Sequence, residues 1–290
     1  MTSAGSRNEI RFQAPVFDEI REKGYAAVDM HVHTRYSDAA NQVKTILARA
    51  SSTGTGVSFT DHNEIRGAVE ASGHSSDVLV IPGIELSALE GPHILLYFYD
   101  IRDLSDFFIR HISKNLGRSR YMSLQLPAGT ILAAAGQYSC IRVAAHPFGY
   151  FGINRGVLKC VANEVLSSEI LDDIDAIEVI CGGMSRNLND KAAAYAGLHN
   201  YPITGGSDAH VLPAVGSVVT CVRAGSVEEF LRGVMRKEGI VIGSSSGVLH
   251  KGMTGAVIAW KYLPYTFSSL RVHYEQNLPG MKNYLRKLIK

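Results

Sequence analysis

Ala26-Ala27-Val28-Asp29-Met30-His31-Val32-His33-Thr34, closely followed by Ser37-Asp38, is the stretch from which the rest of the chain is read. Residues 26–30 form a short apolar run that predicts a buried strand, and polar residues begin where it ends. Side chains two apart on a strand share a face, so His31 and His33 offer two imidazoles to one point. A lone histidine at a strand end is commonly just a satisfied polar residue. Here the placement recurs along the chain, and the recurrence carries the signal.

Working outward, Gly56 to Thr60 reads as a second strand ending in Asp61-His62-Asn63, and Val78 to Ile84 as a third ending in Glu85-Leu86-Ser87. Ile141 to Ala145 delivers His146-Pro147, and Tyr201 to Ser207 delivers Asp208-Ala209-His210. His93 instead opens the apolar run 93–98, and further strands are expected at 174–180, 218–222 and 240–242. Between them, apolar residues at helical spacing predict helices near 15–23, 42–51, 64–73, 104–116, 128–136, 187–199 and 227–237. Gly54 and Gly56 close the second of these, while Gly205-Gly206 is read as a tight turn that lets Asp208 and His210 face one centre.

Strands alternating with helices predict an α/β fold of parallel βαβ units, and about seven units make a closed or nearly closed barrel economical. Functional groups of such barrels gather at the C-terminal ends of the strands, where most of these polar residues fall. The expected organisation is a leader and short helix at 1–25 and a barrel at 26–249 with a helical insertion at 101–138. A basic and aromatic tail follows at 250–290, holding Trp260 and ending Arg286-Lys287-Leu288-Ile289-Lys290. A solvated terminal helix is the simplest account of that tail.

Of the 290 residues, 46% are hydrophobic and 19% charged, which supplies a sizeable core and argues against disorder. A formal charge of +2 gives no case for a dedicated nucleic-acid binder. Cys140, Cys160, Cys181 and Cys221 lack metal-binding spacing and read as free thiols in a reducing compartment. With no apolar segment of signal-peptide or membrane-span length, a soluble cytoplasmic protein without a membrane partner is expected.

Together the strand-end groups are His31, His33, Asp38, His62, Glu85, His93, His146, Asp208 and His210. Imidazole and carboxylate without thiolate suit Zn²⁺, Mn²⁺ or Fe²⁺. Nine such groups exceed the four protein ligands of a closed zinc site, which points to two or three divalent ions with open positions. A bridging carboxylate would be needed, and Glu85 or Asp208 could serve. Such ions acidify a bound water and clamp phosphoryl oxygens.

His31-Val32-His33 with Ser37-Asp38, Thr60-Asp61-His62, Gly83-Ile84-Glu85-Leu86-Ser87, Pro92-His93-Ile94-Leu95, Ala145-His146-Pro147 and Gly206-Ser207-Asp208-Ala209-His210 resemble the ordered motifs of the PHP (polymerase and histidinol phosphatase) family of metal-dependent phosphoesterases. The resemblance runs from about Ala26 to Val222 and implies a distorted seven-stranded (β/α) barrel, TIM-barrel-like, with a two- or three-metal centre. It implies one ion on His31, His33, Glu85 and Asp208, a second on Glu85, His93 and His146 with Glu85 bridging, and a third on Asp38, His62 and His210. Many relatives carry His where this chain has Asp38. The implied catalyst is a metal-bridging hydroxide held by Glu85, Asp208 and His210, attacking phosphorus in line. Asp61 is read as a partner that orients a neighbouring imidazole.

Phosphate also calls for a cationic clamp, for which Arg35 in the first motif loop and Arg155 after His146 are the candidates, ahead of Arg66 and Arg118. Phe148, Tyr150 and Phe151 read as packing on the barrel rim, and His74, His111, His199, His250 and His273 as surface or packing residues. The leading expectation is hydrolysis of a small phosphorylated metabolite such as a nucleotide or sugar-type phosphate. Two alternatives are a 3′-end exonuclease or phosphodiesterase acting on oligonucleotides and a non-catalytic, metal-stabilised barrel that binds a partner.

Overall fold

Short apolar runs of the kind expected become the strands of one curled sheet. The computed structural model describes residues 8–74, 77–149 and 155–289, with backbone alone at 248–249 and 280–289. The strands are β1 (Glu9–Arg11), β2 (Ala26–Val32), β3 (Gly56–Phe59), β4 (Val80–Ser87) and β5 (His93–Phe98), then β6 (Cys140–Ala144), β7 (Ala176–Cys181), β8 (Ile203–Gly206), β9 (Val218–Val222) and β10 (Ile240–Gly243). The helices are α1 (Phe17–Glu22), α2 (Val43–Thr53), α3 (Arg66–Ser72), α4 (Ile101–Phe107) and α5 (Ala128–Ala135), then α6 (Val157–Ala162), α7 (Arg186–Leu198), α8 (Val227–Met235), α9 (Val248–Tyr262) and α10 (Thr266–Ile289).

The sheet has ten strands in the order β1-β10-β9-β2-β3-β4-β5-β6-β7-β8, so the expected count of seven is corrected. Three strands extend it beyond β2. The antiparallel pair β9–β10 lies beside β2, and β1, formed by residues expected to be a leader, adds parallel to β10. The expected parallel alternation also breaks at β5, which runs antiparallel to both β4 and β6. Only residues 88–92 join β4 to β5, too few for the crossover that parallel neighbours need. This reversal brings the first residue of β5 to the edge where β4 and β6 end, with His93 opposite Ser87 and Ile94 opposite Ala144.

Alternation along β2 sends Val28 and Met30 into an apolar cluster with Phe230, Leu231 and Val234 of α8, and turns Asp29 and His31 the other way. Asp29 is buried and accepts hydrogen bonds from Ser207 N (2.8 Å), Ser207 Oγ (2.6 Å) and Gly216 N (2.8 Å), which ties β2 to the segment after β8. The curl brings these segments together again where His33 N donates to Ala209 O at 3.1 Å. Gly206 permits the approach: a Cβ there would stand 2.4 Å from His31 N. Its role is therefore close packing rather than turning, and the left-handed conformation falls on Asp208 itself (φ 52°). Gly54, by contrast, caps α2 in the left-handed region (φ 70°), as its position suggests.

The insertion at 101–138 contains α4, a π-helical turn at Phe108–Ile112, a 3₁₀ turn at Ser113–Asn115 and α5. After β10, α9 and α10 lie across the mouth of the sheet. Lys251 Nζ donates to Met184 O (3.0 Å) and Lys261 Nζ to Arg35 O (3.1 Å). Further along, the Ser269 and Ser119 hydroxyls meet at 2.8 Å, and Gln276 Nε2 donates to Leu89 O (3.2 Å). The basic residues expected to mark the end of the tail lie outside the side chains described. Among the described residues, no helix is long and apolar enough to cross a membrane, and the four cysteines are free.

Candidate metal centre

All nine strand-end groups are buried and come together at one edge of the sheet. The β2 end supplies His31 and His33, the loop after it Asp38, and the ends of β3 and β4 His62 and Glu85. The reversed β5 supplies His93, and the segments after β6 and β8 supply His146, Asp208 and His210. His146 (φ 27°) and Asp208 (φ 52°) adopt a left-handed backbone that costs energy for such residues, about 1–3 kcal/mol each, and is characteristic of functional sites.

Glu85 is the hub. Its Oε1 lies 2.9 Å from His93 Nδ1 and 3.0 Å from His146 Nε2. Its Oε2 lies 2.9 Å from His62 Nδ1 and 3.4 Å from both His31 Nε2 and His33 Nε2. Asp208 Oδ1 is 3.2 Å from His33 Nε2 and 3.7 Å from His31 Nε2. On the other side, Asp38 Oδ1 is 3.2 Å from His210 Nε2 and 3.8 Å from His33 Nδ1, and its Oδ2 is 3.6 Å from His62 Nε2.

These separations fit a cation. Two donors bound about 2.1 Å from one ion stand roughly 3–3.5 Å apart. The donors also lack other employment: His31 Nε2, both nitrogens of His33, His210 Nε2, Asp38 Oδ1 and Glu85 Oε2 are buried without a hydrogen bond, an arrangement costly unless something charged satisfies them. Donor atoms within 4.8 Å of one another form three groups: His33, Asp38, His62 and His210; His31, His33 and Asp208; and His62, Glu85 and His93. The sets implied by the resemblance overlap these but differ: Glu85 groups with His62 and His93 rather than with His31, His33 and Asp208, His146 falls in none of the three, and His33 and His62 each belong to two.

Charge is distributed to match. Burial would keep His31 neutral, but Glu178, Glu85 and Asp208 reverse that and hold it well above its ordinary value. Burial opposes charge on His210 too, yet Asp38 and Asp208 push it up to about 9. Burial would raise Glu85, while His62, His93 and His31 draw it well below the usual carboxylate range. Asp208 is likewise held low, against burial, by His31 and His33. His33 falls to about 4 through burial and the His210 charge, and His93 to about 3 chiefly through burial.

Three residues were missed or misread in the sequence. Glu178 on β7 places Oε1 2.9 Å from His31 Nδ1 and accepts from His146 N at 2.6 Å, so it fixes the ring that faces the cation site. Its only sequence signal is a carboxylate in the middle of the apolar run 174–180. Replacing it with Gln is expected to weaken metal affinity by about 10–100-fold, measured by calorimetric titration with Mn²⁺. Asp61 accepts from Thr34 N (2.7 Å), Thr34 Oγ1 (2.7 Å) and Ser37 Oγ (2.5 Å); it shapes the loop that carries Asp38 rather than orienting an imidazole. His273, expected to be a surface or packing residue, lines the cavity above the donors.

That cavity holds about 380 Å³. Asp38, His62, Glu85, His93, His146, Asp208 and His210 form its floor. Arg155 is buried in its wall, where Nη1 donates to His93 Nε2 and to Met122 O, each at 3.0 Å. Arg35 is exposed over the Tyr36 ring and does not reach the cavity. Arg66 pairs with Glu64, and Arg118 borders a separate groove. Phe148 packs against the core edge-on to Tyr195, whereas Tyr150 and Phe151 lie outside the described residues.

Comparison with known proteins places this geometry in a lineage. The PHP domain family matches residues 29–152, and the PHP-associated family matches residues 186–238. No curated protein matches the sequence. Among solved structures, the chain is similar to the lesion-specific endonuclease PfuEndoQ from Pyrococcus furiosus (20% identity, TM-score 0.60, 75% of this chain and 57% of that one). It is also similar to Endonuclease Q bound to a 27-mer duplex with an abasic lesion (20% identity, TM-score 0.58, 72% and 56%). A protein assigned as a metal-dependent phosphoesterase from Bifidobacterium adolescentis matches at 20% identity and TM-score 0.51, over 77% of this chain and 97% of that one. The chain spans a little over half the length of the two endonuclease chains, and likeness at this identity establishes a shared fold alone. The two family matches together span more than half of the sequence and enclose all nine buried donors, and on that ground the chain belongs to the PHP family and is a metal-dependent hydrolase.

Proposed function

We propose that this hydrolase cleaves phosphate esters of small molecules, a nucleotide or sugar-type phosphate in class, bound between the floor of seven donors and the helices above it. The observation that carries this reading is the size of the cavity: about 380 Å³, at the small end of ligand pockets, with α9 and α10 lining the side opposite the donors. Divalent ions held by His31, His33, Asp38, His62, Glu85, His93, His146, Asp208 and His210 would polarise phosphoryl oxygens and make water acidic enough to attack.

The chain's own groups do the rest. Arg155 is placed to bind a phosphate oxygen, and its fork of donors suits that geometry. Tyr262, whose phenol burial and the Asp38 charge hold well above its ordinary value, stays protonated as a hydrogen-bond donor at the cavity wall. Glu178 keeps His31 aligned, and the overlying helices restrict water. In the net reaction water adds to phosphorus, the ester P–O bond breaks, and the leaving oxygen takes the proton.

The test is metal content by elemental analysis together with phosphate release from sugar phosphates and mononucleotides, with Mn²⁺ and with chelator. Metal-dependent release from small monoesters is expected. Preferential shortening of a 5′-labelled oligonucleotide would move the reading to nucleic acid, and no metal uptake would sink it. Arg155→Met should raise KM by about 10–100-fold with a smaller change in kcat, the pattern of lost substrate binding.

A further inference from the structure

The cavity has two unlike faces. Its floor is imidazole and carboxylate. The opposite face is carbon-rich, formed by Ile258, Ala259 and Tyr262 of α9, with Leu270 of α10 at its open rim (62% exposed) and Met122 at the side. Of the polar side chains that α10 brings there, Thr266, Ser269 and His273, the two hydroxyls are already engaged within the protein. Thr266 Oγ1 donates to Leu263 O at 2.8 Å, and the Ser269 hydroxyl pairs with that of Ser119 at 2.8 Å. A polyhydroxylated leaving group held against this face would find the Tyr262 hydroxyl and His273 as partners and leave its remaining hydroxyls unpaired, at a cost for each. A flat apolar group would lose nothing and bury carbon on both sides.

We infer that the ester this site selects carries an apolar, ring-sized group on the leaving side of its phosphate, with Ile258, Tyr262 and Leu270 determining that preference. The inference rests on the phosphoesterase reading and narrows it, away from sugar-type phosphates and toward esters with an apolar organic part: the phosphoryl group lies on the donor floor beside Arg155, and the organic part stands against α9 and α10. Those helices then act as the specificity element of the site. The fold that holds the nine donors is left free to serve other esters in other chains.

The experiment compares two non-hydrolysable anions with the same head, phenylphosphonate and methylphosphonate, by calorimetric titration of the full chain loaded with Mn²⁺. Phenylphosphonate is expected to bind at least about tenfold tighter, and Ile258→Ser to remove most of that advantage. The ratio of kcat/KM for 1-naphthyl phosphate over glycerol 3-phosphate should fall in parallel. Equal affinities for the two phosphonates would overturn the inference and leave the phosphoesterase reading standing. Binding of neither anion by metal-loaded protein would overturn both. Should Ile258→Ser lose its cooperative thermal melt, the wild-type comparison alone decides.

Discussion

Replacing Glu85 with Gln is expected to lower metal-dependent phosphate release by at least about a thousandfold, roughly 4 kcal/mol of transition-state stabilisation. The size follows from position. One carboxylate stands within 3.4 Å of nitrogens from five histidines, so no other single side chain touches as much of the donor set. Gln keeps the shape but removes the charge and turns one terminal atom into a donor, which then faces imidazole nitrogens. Without metal the substitution also takes one counter-charge from His31, which keeps Glu178 and Asp208, and from His62, which keeps Asp38. A buried charge that loses part of its compensation costs stability, so the melting temperature of the chelator-treated protein should drop as well. Steady-state kinetics and calorimetric melts on the same sample check both parts. Wild-type turnover from Glu85→Gln would remove Glu85 from the centre of the mechanism.

Metal affinity should rise steeply with pH, by about tenfold per unit between pH 6.5 and 8.5 for the ion that uses His210. Burial disfavours charge on this ring, but Asp38 and Asp208 hold its pKa up at about 9, so in the metal-free chain a proton occupies the imidazole at neutral pH. A cation must displace that proton, and displacement becomes easier as pH climbs toward 9. The stability of the metal-free chain runs the opposite way. A histidine raised on folding contributes fully below its unfolded value near 6.5, and that contribution is lost as pH rises through about 9. Raising pH should therefore weaken the chelated protein and favour the loaded one. Titrations with Mn²⁺ in two buffers of different ionisation enthalpy would count the released protons. An affinity flat across this range would contradict the placement of His210 beside Asp38.

Most of the donor set was legible because those residues sit where an apolar run stops, with His93 where one begins and Asp38 in a loop, and strand ends converge in a curled sheet whatever the details of its path. His31 and His33 were readable as a pair from the two-residue period alone. Glu178 was not, since a single carboxylate inside a strand reads the same whether it faces solvent or an imidazole. The reversal of β5 was written in the five residues between β4 and β5, a span suited to a hairpin, but the surrounding alternation of strands and helices masked it. Of the strands beyond the expected seven, β9 and β10 fall where apolar runs at 218–222 and 240–242 predicted them, whereas β1 is three residues that become a strand by pairing with β10. The last helices were hardest. Tyr262, Ser269 and His273 face the site, while Trp260, Leu263, Phe267 and Tyr274 point outward, exposed by 59–90%. Two interleaved apolar stripes at helical spacing give no sign of which one is covered.

The nine donors span the chain from His31 to His210 and come from both arms of the curled sheet. A cation seated among them works as a multi-point cross-link between segments that are remote in sequence. It ties β2, which pairs with β3 and β9, to β8 at the far end of the hydrogen-bonded order. Such a tie penalises any opening that separates the arms, because the ion must be released before the sheet can uncurl. The centre proposed for the chemistry would thus also be the seam of the fold, and the unfolded chain, with its donors scattered, would have no equivalent place for an ion to go.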